Sequence, residues 1–268
     1  MNFPKVGRPK YLVDYIVLIN IAIFIVATFV EIVTSSNLFL ELGAKINYKI
    51  ADYEYYRLIT PMFLHADIFH IIFNSVALFS IGRNVEIALG KTKFLIIFLV
   101  SVLFGTMGSF VFNDSISVGA SGGIFGLIGA MLFISLLYPD SMKKLLQKDI
   151  ITLIVVNLLL GFTNPRIDNA AHMSGLIGGV LISFALGYPK QLKMNITNQI
   201  SRVLLIALSV LFFMFGIPSY KTSENYYLTK GASLYYGNNL EEAYGVFTDG
   251  LKQFPNNTQF QEIVEAMK

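Results

Sequence analysis

Seven apolar runs, separated by short polar segments, constrain what this chain can fold into. They cover approximately 13–32, 67–88, 94–112, 120–137, 150–162, 170–186 and 203–217. A helix needs about 20 mainly apolar residues to cross a bilayer, and most of the runs meet that length. None alternates with the period of two that a membrane barrel requires. Composition agrees: 54% of residues are hydrophobic and only 14% charged, whereas a soluble domain carries roughly 25% charged residues. The chain is also too apolar for disorder. The expected fold is therefore an all-α polytopic membrane helix bundle. The first run is too long for a signal-peptide core, and no small-residue cleavage site follows it, so it reads as a retained helix. Cysteine is absent, which excludes disulfides, thiol catalysis and cysteine metal sites. Three histidines make a multi-histidine metal site hard to build, and a net charge of +3 gives no reason to expect nucleic acid. No cofactor or metal is expected.

Basic residues predict the orientation. Lys5, Arg8 and Lys10 precede the first run; Arg83, Lys91 and Lys93 lie between the second and third. Lys143, Lys144 and Lys148 lie between the fourth and fifth, and Lys190, Lys193 and Arg202 between the sixth and seventh. The alternate loops are poorer: Lys45, Lys49 and Arg57 in a long first loop, none in 113–117, and Arg166 alone after the fifth run. This places the N-terminus in the cytoplasm and the C-terminus outside. Without the short fifth run the alternation would break at the next loop. The first loop, 34–64, mixes Tyr53, Tyr55 and Tyr56 with charges and suits the membrane interface.

Polar residues at membrane depth are costly and therefore informative. Three groups stand out. Gly119-Ala120-Ser121-Gly122-Gly123 opens the fourth run, and Gly126 and Gly129 continue a stripe of small residues along it. Ala171-His172-Met173-Ser174-Gly175 opens the sixth run, with Gly175 and Gly179 on the same helix face as His172. His70 and Asn74, spaced i,i+4, share a face near the start of the second run. A serine in a membrane helix commonly bonds to its own backbone, and a buried histidine is commonly structural. Here, however, all three runs point from outside to inside, so the three groups lie at similar depth. Glycine faces allow close helix approach. A serine beside a histidine base is the minimum unit of an activated hydroxyl nucleophile, and two side-chain donors nearby suit a developing oxyanion.

With these motifs in order, the chain resembles a rhomboid intramembrane serine protease over about residues 11–188. Gly119-Ala120-Ser121-Gly122 is similar to that family's G-x-S-G motif. Ala171-His172-x-x-Gly175-x-x-x-Gly179 and His70-x-x-x-Asn74 are similar to two more. Tyr56-Arg57, the segment Thr60 to His65, Gly82 and Glu86 also fit. The resemblance implies a six-helix core with a seventh helix added, and a dyad of Ser121 as nucleophile and His172 as base without a third carboxylate. It implies an oxyanion held by His70, Asn74 and the backbone N–H of Ser121. It implies an aromatic stacked on the catalytic histidine, here Phe125 where the family often has Tyr, so the hydroxyl is lost. Gly119, Gly122, Gly175 and Gly179 would pack the helices at the site. Asp168, four residues before His172, reads as a helix N-cap. The implied partners are the lipid bilayer and transmembrane protein substrates, cut near their outer end through an acyl-enzyme.

The expected organisation is a membrane core at 1–190, a seventh helix with its preceding loop at 191–220, and an extracytoplasmic tail at 221–268. Within the tail, 225–257 resembles one tetratricopeptide repeat through Gly231, Leu234, Tyr235, Glu242-Ala243, Phe247, Leu251 and Pro255. One repeat cannot bury its own face, so it packs on further residues of its own, on the membrane core, or on a protein partner. Its role is either recruitment or capping of the seventh helix. Asn157 reads as a helix–helix hydrogen bond. The location that suits the loops is a bacterial plasma membrane. A catalytically silent rhomboid-like binding or chaperone protein is the alternative, although such relatives would lack the Ser or the His. The α/β-hydrolase elbow needs a strand before its serine, and a transporter would show repeats and midplane charges; neither pattern is present.

Overall fold

The computed structural model of the protein describes residues 10–35, 41–137, 161, 163–164, 167–187 and 195–268. The fifth apolar run with Asn157, and the basic residues Lys5, Arg8, Lys143, Lys144, Lys148, Arg166, Lys190 and Lys193, lie outside this set, Gly161 excepted. Among the described residues the chain is helical, with no β-strand and one isolated antiparallel bridge between Lys45 and Ser117.

Among the described residues six apolar helices build the bundle: α1 (Leu12–Thr34), α3 (Ile68–Leu89), α4 (Lys91–Phe112), α5 (Ser121–Leu137), α6 (Asn169–Leu186) and α7 (Ile196–Lys221). The short α2 (Asn47–Ala51) and two 3-10 turns, Tyr55–Leu58 and Thr60–Phe63, form the first loop. Five of the six match the length and apolarity of a membrane span, and α5 is shorter. The protein is a multi-pass membrane protein. Its seventh helix begins at Ile196, well before the apolar run at 203, because Asn195 caps it: its side chain accepts from the Asn198 N–H at 3.0 Å, and Asn198 answers at 2.8 Å. That reciprocal cap supplies a helix start that hydropathy does not register.

Burial separates centre from rim. The α4 segment is 61% buried, whereas α1 and α7 are each 17% buried and present Ile25, Phe29, Ile32, Ile206 and Phe215 outward. In lipid, apolar contact between helices gains little over apolar contact with acyl chains, so close packing and hydrogen bonds must hold the bundle. Glycines set that packing. A Cβ on Gly175 would lie 2.2 Å from the Gly122 carbonyl oxygen, and one on Gly179 would lie 2.1 Å from that of Gly126. Residue numbers therefore rise together on α5 and α6, and the two helices run parallel. On the other side, Gly105 faces Gly122 and Ala171, and Ser101 faces Gly126, so α4 runs antiparallel to both.

The end of the bundle away from Ser121 is closed by side chains on helix termini. Glu86 accepts from the N–H groups of Leu12 and Val13 at 2.9 and 3.0 Å, which satisfies two orphan donors of α1. Arg83 pairs with Asp14 nearby at 2.8 Å, and Gly82 makes room for Val13. The last carbonyls of α6 receive Lys93, Asn198 and Arg202, the polarity that a helix C-terminus favours.

The tail forms α8 (Glu224–Tyr236), α9 (Leu240–Gln253) and α10 (Thr258–Ala266). Ala243, Phe247, Phe260 and Val264 make its own small core, with Gly231 against Phe247 and Gly250 against Phe260. It also rests on the first loop. Tyr226 donates to Asp52 at 2.8 Å, Lys230 pairs with Asp52 at 2.6 Å, and Tyr48 donates to Ser233 at 2.7 Å. Of the three ways the tail could cover its face, the structure contains the first two. The first loop is less superficial than its composition suggests: Lys45, Ile50 and Arg57 are almost wholly buried in it, as is His65 just after it. Backbone carbonyls and Glu54 supply the partners that let the two cations be buried.

Candidate active site

Ser121 is the first residue of α5, and the sequence sets this start sharply. Gly119 has φ +118°, a region open to glycine and strained for other residues. A Cβ there would also meet His70 Nε2 at 2.6 Å, so both backbone and space demand glycine. The Gly119 N–H donates to the Pro61 carbonyl at 2.8 Å, which pins the turn to the first loop. The first hydrogen bond of the helical ladder runs from Ile124 to Ala120 at 3.0 Å. The N–H groups of Ser121, Gly122 and Gly123 thus precede the ladder, at the positive end of the helix.

His172 lies in the first turn of α6. Asp168 caps that helix: its carboxylate accepts from the Ala171 N–H at 2.9 Å and from the Ser109 hydroxyl of α4. Asp168 is therefore engaged with the helix end and with α4 rather than with the imidazole, as its position before the run predicts. The His172 ring is buried, its Nδ1 has no protein partner, and it stacks on Phe125 with centroids 4.2 Å apart and planes 11° from parallel. Phe125 is one turn beyond Ser121 on the same face of α5. The ring that orients His172 is thus carried by the helix that carries Ser121. No hydrogen bond joins Ser121 to His172 in this state, but the parallel α5–α6 pair holds them at one end, with Gly122 against the Ala171 carbonyl.

His70 and Asn74 come from α3. His70 Nε2 is directed at Gly119, two residues before Ser121, and its ring meets His65 edge-on at 5.1 Å. His65 is completely buried, and that burial pushes its pKa down to about 3, so a neutral ring stands beside His70. Asn74 is buried and donates one amide hydrogen to the His70 carbonyl at 3.0 Å, which leaves the second. Of the two donors inferred from the sequence, His70 is the one set against the Ser121 turn.

Ser121, Gly119, Gly122 and Gly123 line a small cavity with Lys45, Pro61, Thr106, Ser109 and Ala171. It has room for a water molecule and polar partners to hold one. Sequence reasoning did not single out Lys45 or Ser109 as neighbours of the site. The only signal was a lysine flanked by Ala44 and Ile46. No cluster of groups able to hold a metal occurs among the described residues.

One prediction follows from the stacking. Phe125→Leu keeps most of the volume, so its stability cost is under about 1.5 kcal/mol, yet it removes the flat surface beneath the imidazole. A stacked aromatic pair contributes about 0.5–1.5 kcal/mol, so the turnover of any Ser–His chemistry here should fall by about tenfold. Phe125→Tyr, which restores the plane, should retain it. Steady-state hydrolysis assays on the two variants check this.

A model of the rhomboid domain matches residues 52–189. The chain is 38% identical to the rhomboid protease GluP of Bacillus subtilis (strain 168) over 236 residues, 88% of this chain and 46% of that protein. It is 41% identical to the rhomboid YdcA of the same organism over 140 residues, 52% of this chain and 70% of that protein. RHOMBOID-like protein 1 of Arabidopsis thaliana is 37% identical over 140 residues, 50% of this chain and 35% of that protein. The chain therefore spans about half the length of the first of these relatives.

Proposed function

The chain belongs to the rhomboid family, and from that premise we propose that it is an intramembrane serine endopeptidase. The observation that carries the reading is the parallel α5–α6 pair, which holds Ser121 and a Phe125-stacked His172 at the same end of the bundle. Ser121 Oγ attacks the scissile carbonyl while His172 takes its proton. The tetrahedral oxyanion is held by the N–H at the start of α5 and by donors from His70 and Asn74. His172 then returns the proton to the leaving amine, and water resolves the acyl-enzyme by the same route. No cofactor is required. Polar groups at this depth are tolerable because they line a cavity.

The orientation that the basic loops favour places the site near the outer face, the N-terminus in the cytoplasm and the C-terminus outside. The organisation is a core at 1–190, a seventh helix at 191–220 and a tail at 221–268. The α8–α9 hairpin closed by α10 suits a tetratricopeptide-like unit whose remaining face takes a protein partner. Relatives named as bacterial rhomboids support a bacterial plasma membrane.

Substrates are transmembrane segments. A helical substrate hides its carbonyls in i→i−4 bonds, so cleavage requires residues that weaken the helix, at about 1 kcal/mol for each glycine relative to alanine. The test is proteoliposome cleavage of transmembrane substrates with Gly, Ser or Pro near one end of the span, against versions with those residues changed to Leu. Cleavage of the first set and loss in the second is expected. Equal cleavage would remove the local-unfolding requirement, and cleavage of neither would remove the protease reading.

A further inference from the structure

Lys45 is buried completely in the first loop, far in sequence from Ser121, and no step of the proposed reaction uses it. Its ammonium donates to the Ser115 carbonyl at 3.0 Å and to the Asn113 carbonyl. Its backbone forms the antiparallel bridge with Ser117, N–H to carbonyl at 2.9 Å one way and 3.1 Å the other. Two residues later, Asn47 donates to the Phe110 carbonyl at 3.0 Å and to the Asp114 carboxylate at 3.0 Å. The segment so gripped, 113–117, leads directly into Gly119 and Ser121, and Lys45 lines the cavity that Ser121 also lines. A buried ammonium is costly unless its hydrogens are satisfied. Here main-chain carbonyls of the segment leading to the nucleophile satisfy it, so removing the ammonium takes its bond from the Ser115 carbonyl and leaves the Asn113 carbonyl with only the Asn47 amide, at 3.3 Å.

Resting on the protease reading above, we propose that Lys45 is a positioning residue for Ser121. Its ammonium and main chain fix the 113–117 segment, and thereby the start of α5 and the N–H groups that precede its ladder. It does not touch the reacting atoms. The charged groups that face it are Asp114 on the gripped segment and Asp168 at the start of α6; on its own loop, Arg57 donates to the neighbouring Ala44 carbonyl. Burial lowers the Lys45 pKa to about 8 against the pull of those two carboxylates. The charge is therefore present at neutral pH and lost as pH rises through about 8.

The test measures fluorophosphonate labelling of Ser121, and kcat and KM on a transmembrane substrate, for the full chain in detergent. Wild type, Lys45→Met and Lys45→Arg are compared from about pH 6 to about pH 9.5, a range that brackets the lysine titration. Lys45→Met should lower the labelling rate and kcat by about tenfold or more, with KM little changed. Lys45→Arg should restore most of kcat near neutral pH. Wild-type rates should fall above about pH 8, and those of Lys45→Arg should not, because arginine keeps its charge. A folded Lys45→Met that labels as fast as wild type overturns the proposal. If Lys45→Met does not fold, identical profiles for wild type and Lys45→Arg overturn it, and so does a wild-type rate that stays flat through pH 8 when neither variant folds. A wild type that neither labels nor cleaves overturns the protease reading and this proposal with it. Labelling by wild type with no Lys45 effect overturns the proposal alone.

Discussion

Replacing Ser121 by Ala should reduce hydrolysis of a transmembrane substrate by about 10³-fold or more, and His172→Ala should do the same. In the proposed mechanism there is no covalent step without the hydroxyl, and the hydroxyl has no base without the imidazole. The described histidine and carboxylate neighbours offer no substitute base, and the Lys45 ammonium is held by the Asn113 and Ser115 carbonyls. Asp168 is engaged with Ala171 and Ser109, His70 faces Gly119, and His65 is buried behind it. The double variant should therefore be scarcely slower than either single one, because residues that act as a unit lose their effect together. Both variants should fold normally. Ser121 is only partly buried, and the Phe125 ring remains packed in the core cluster. Kinetics of the two single variants and the double variant, on protein of matched thermal stability, check this. Additive losses would mean that Ser121 and His172 act in separate steps.

The second large effect needs only one methyl group. Gly175→Ala should inactivate the protein. The added Cβ would lie 2.2 Å from the Gly122 carbonyl oxygen, 2.8 Å from its carbon and 3.1 Å from its Cα. All three are main-chain atoms, so no side chain can rotate aside. Ordinary contact requires 3.4 Å or more, so α5 and α6 must part by about 1 Å, and Gly122 is the residue after Ser121. Overpacking of this kind costs about 1–3 kcal/mol, and a misplacement of about 1 Å at the reacting groups costs roughly 10²-fold in rate. The expected result is a bundle with a lowered melting temperature in detergent and at least that loss of turnover. Gly245→Ala makes a control for substitution as such: its Cβ would meet nothing within 4 Å, and its φ is not in the left-handed region. A fully active Gly175→Ala would mean that the two helices are not held at this separation in the working enzyme.

These two outcomes also mark what the sequence makes legible. Apolar runs reveal helices because the bilayer demands a continuous apolar length, and the runs at 13–32, 94–112 and 170–186 lie within α1, α4 and α6 to within a few residues. Glycines at i,i+4 reveal contact faces because only glycine lets main chains touch, and Gly175 and Gly179 meet Gly122 and Gly126 as that spacing implies. Stacking of residue 125 on His172 was legible only through resemblance to a family, since spacing alone does not say which helix faces which. The first loop was not legible. Lys45 and Arg57 look like surface charges by type, and their burial depends on main-chain carbonyls distant in sequence. The docking of the tail on Asp52 was hidden for the same reason: Tyr226 and Lys230 lie more than 170 residues away from it. Such contacts leave no periodic trace.

The most direct test of the central claim is covalent. A fluorophosphonate probe, incubated with the protein in detergent and followed by peptide mass mapping, reports which hydroxyl is activated and what activates it. One adduct on Ser121 in the wild type, and none in His172→Ala, is the predicted result. No adduct in the wild type, an adduct on another serine, or undiminished labelling of Ser121 in His172→Ala would contradict a Ser121–His172 dyad.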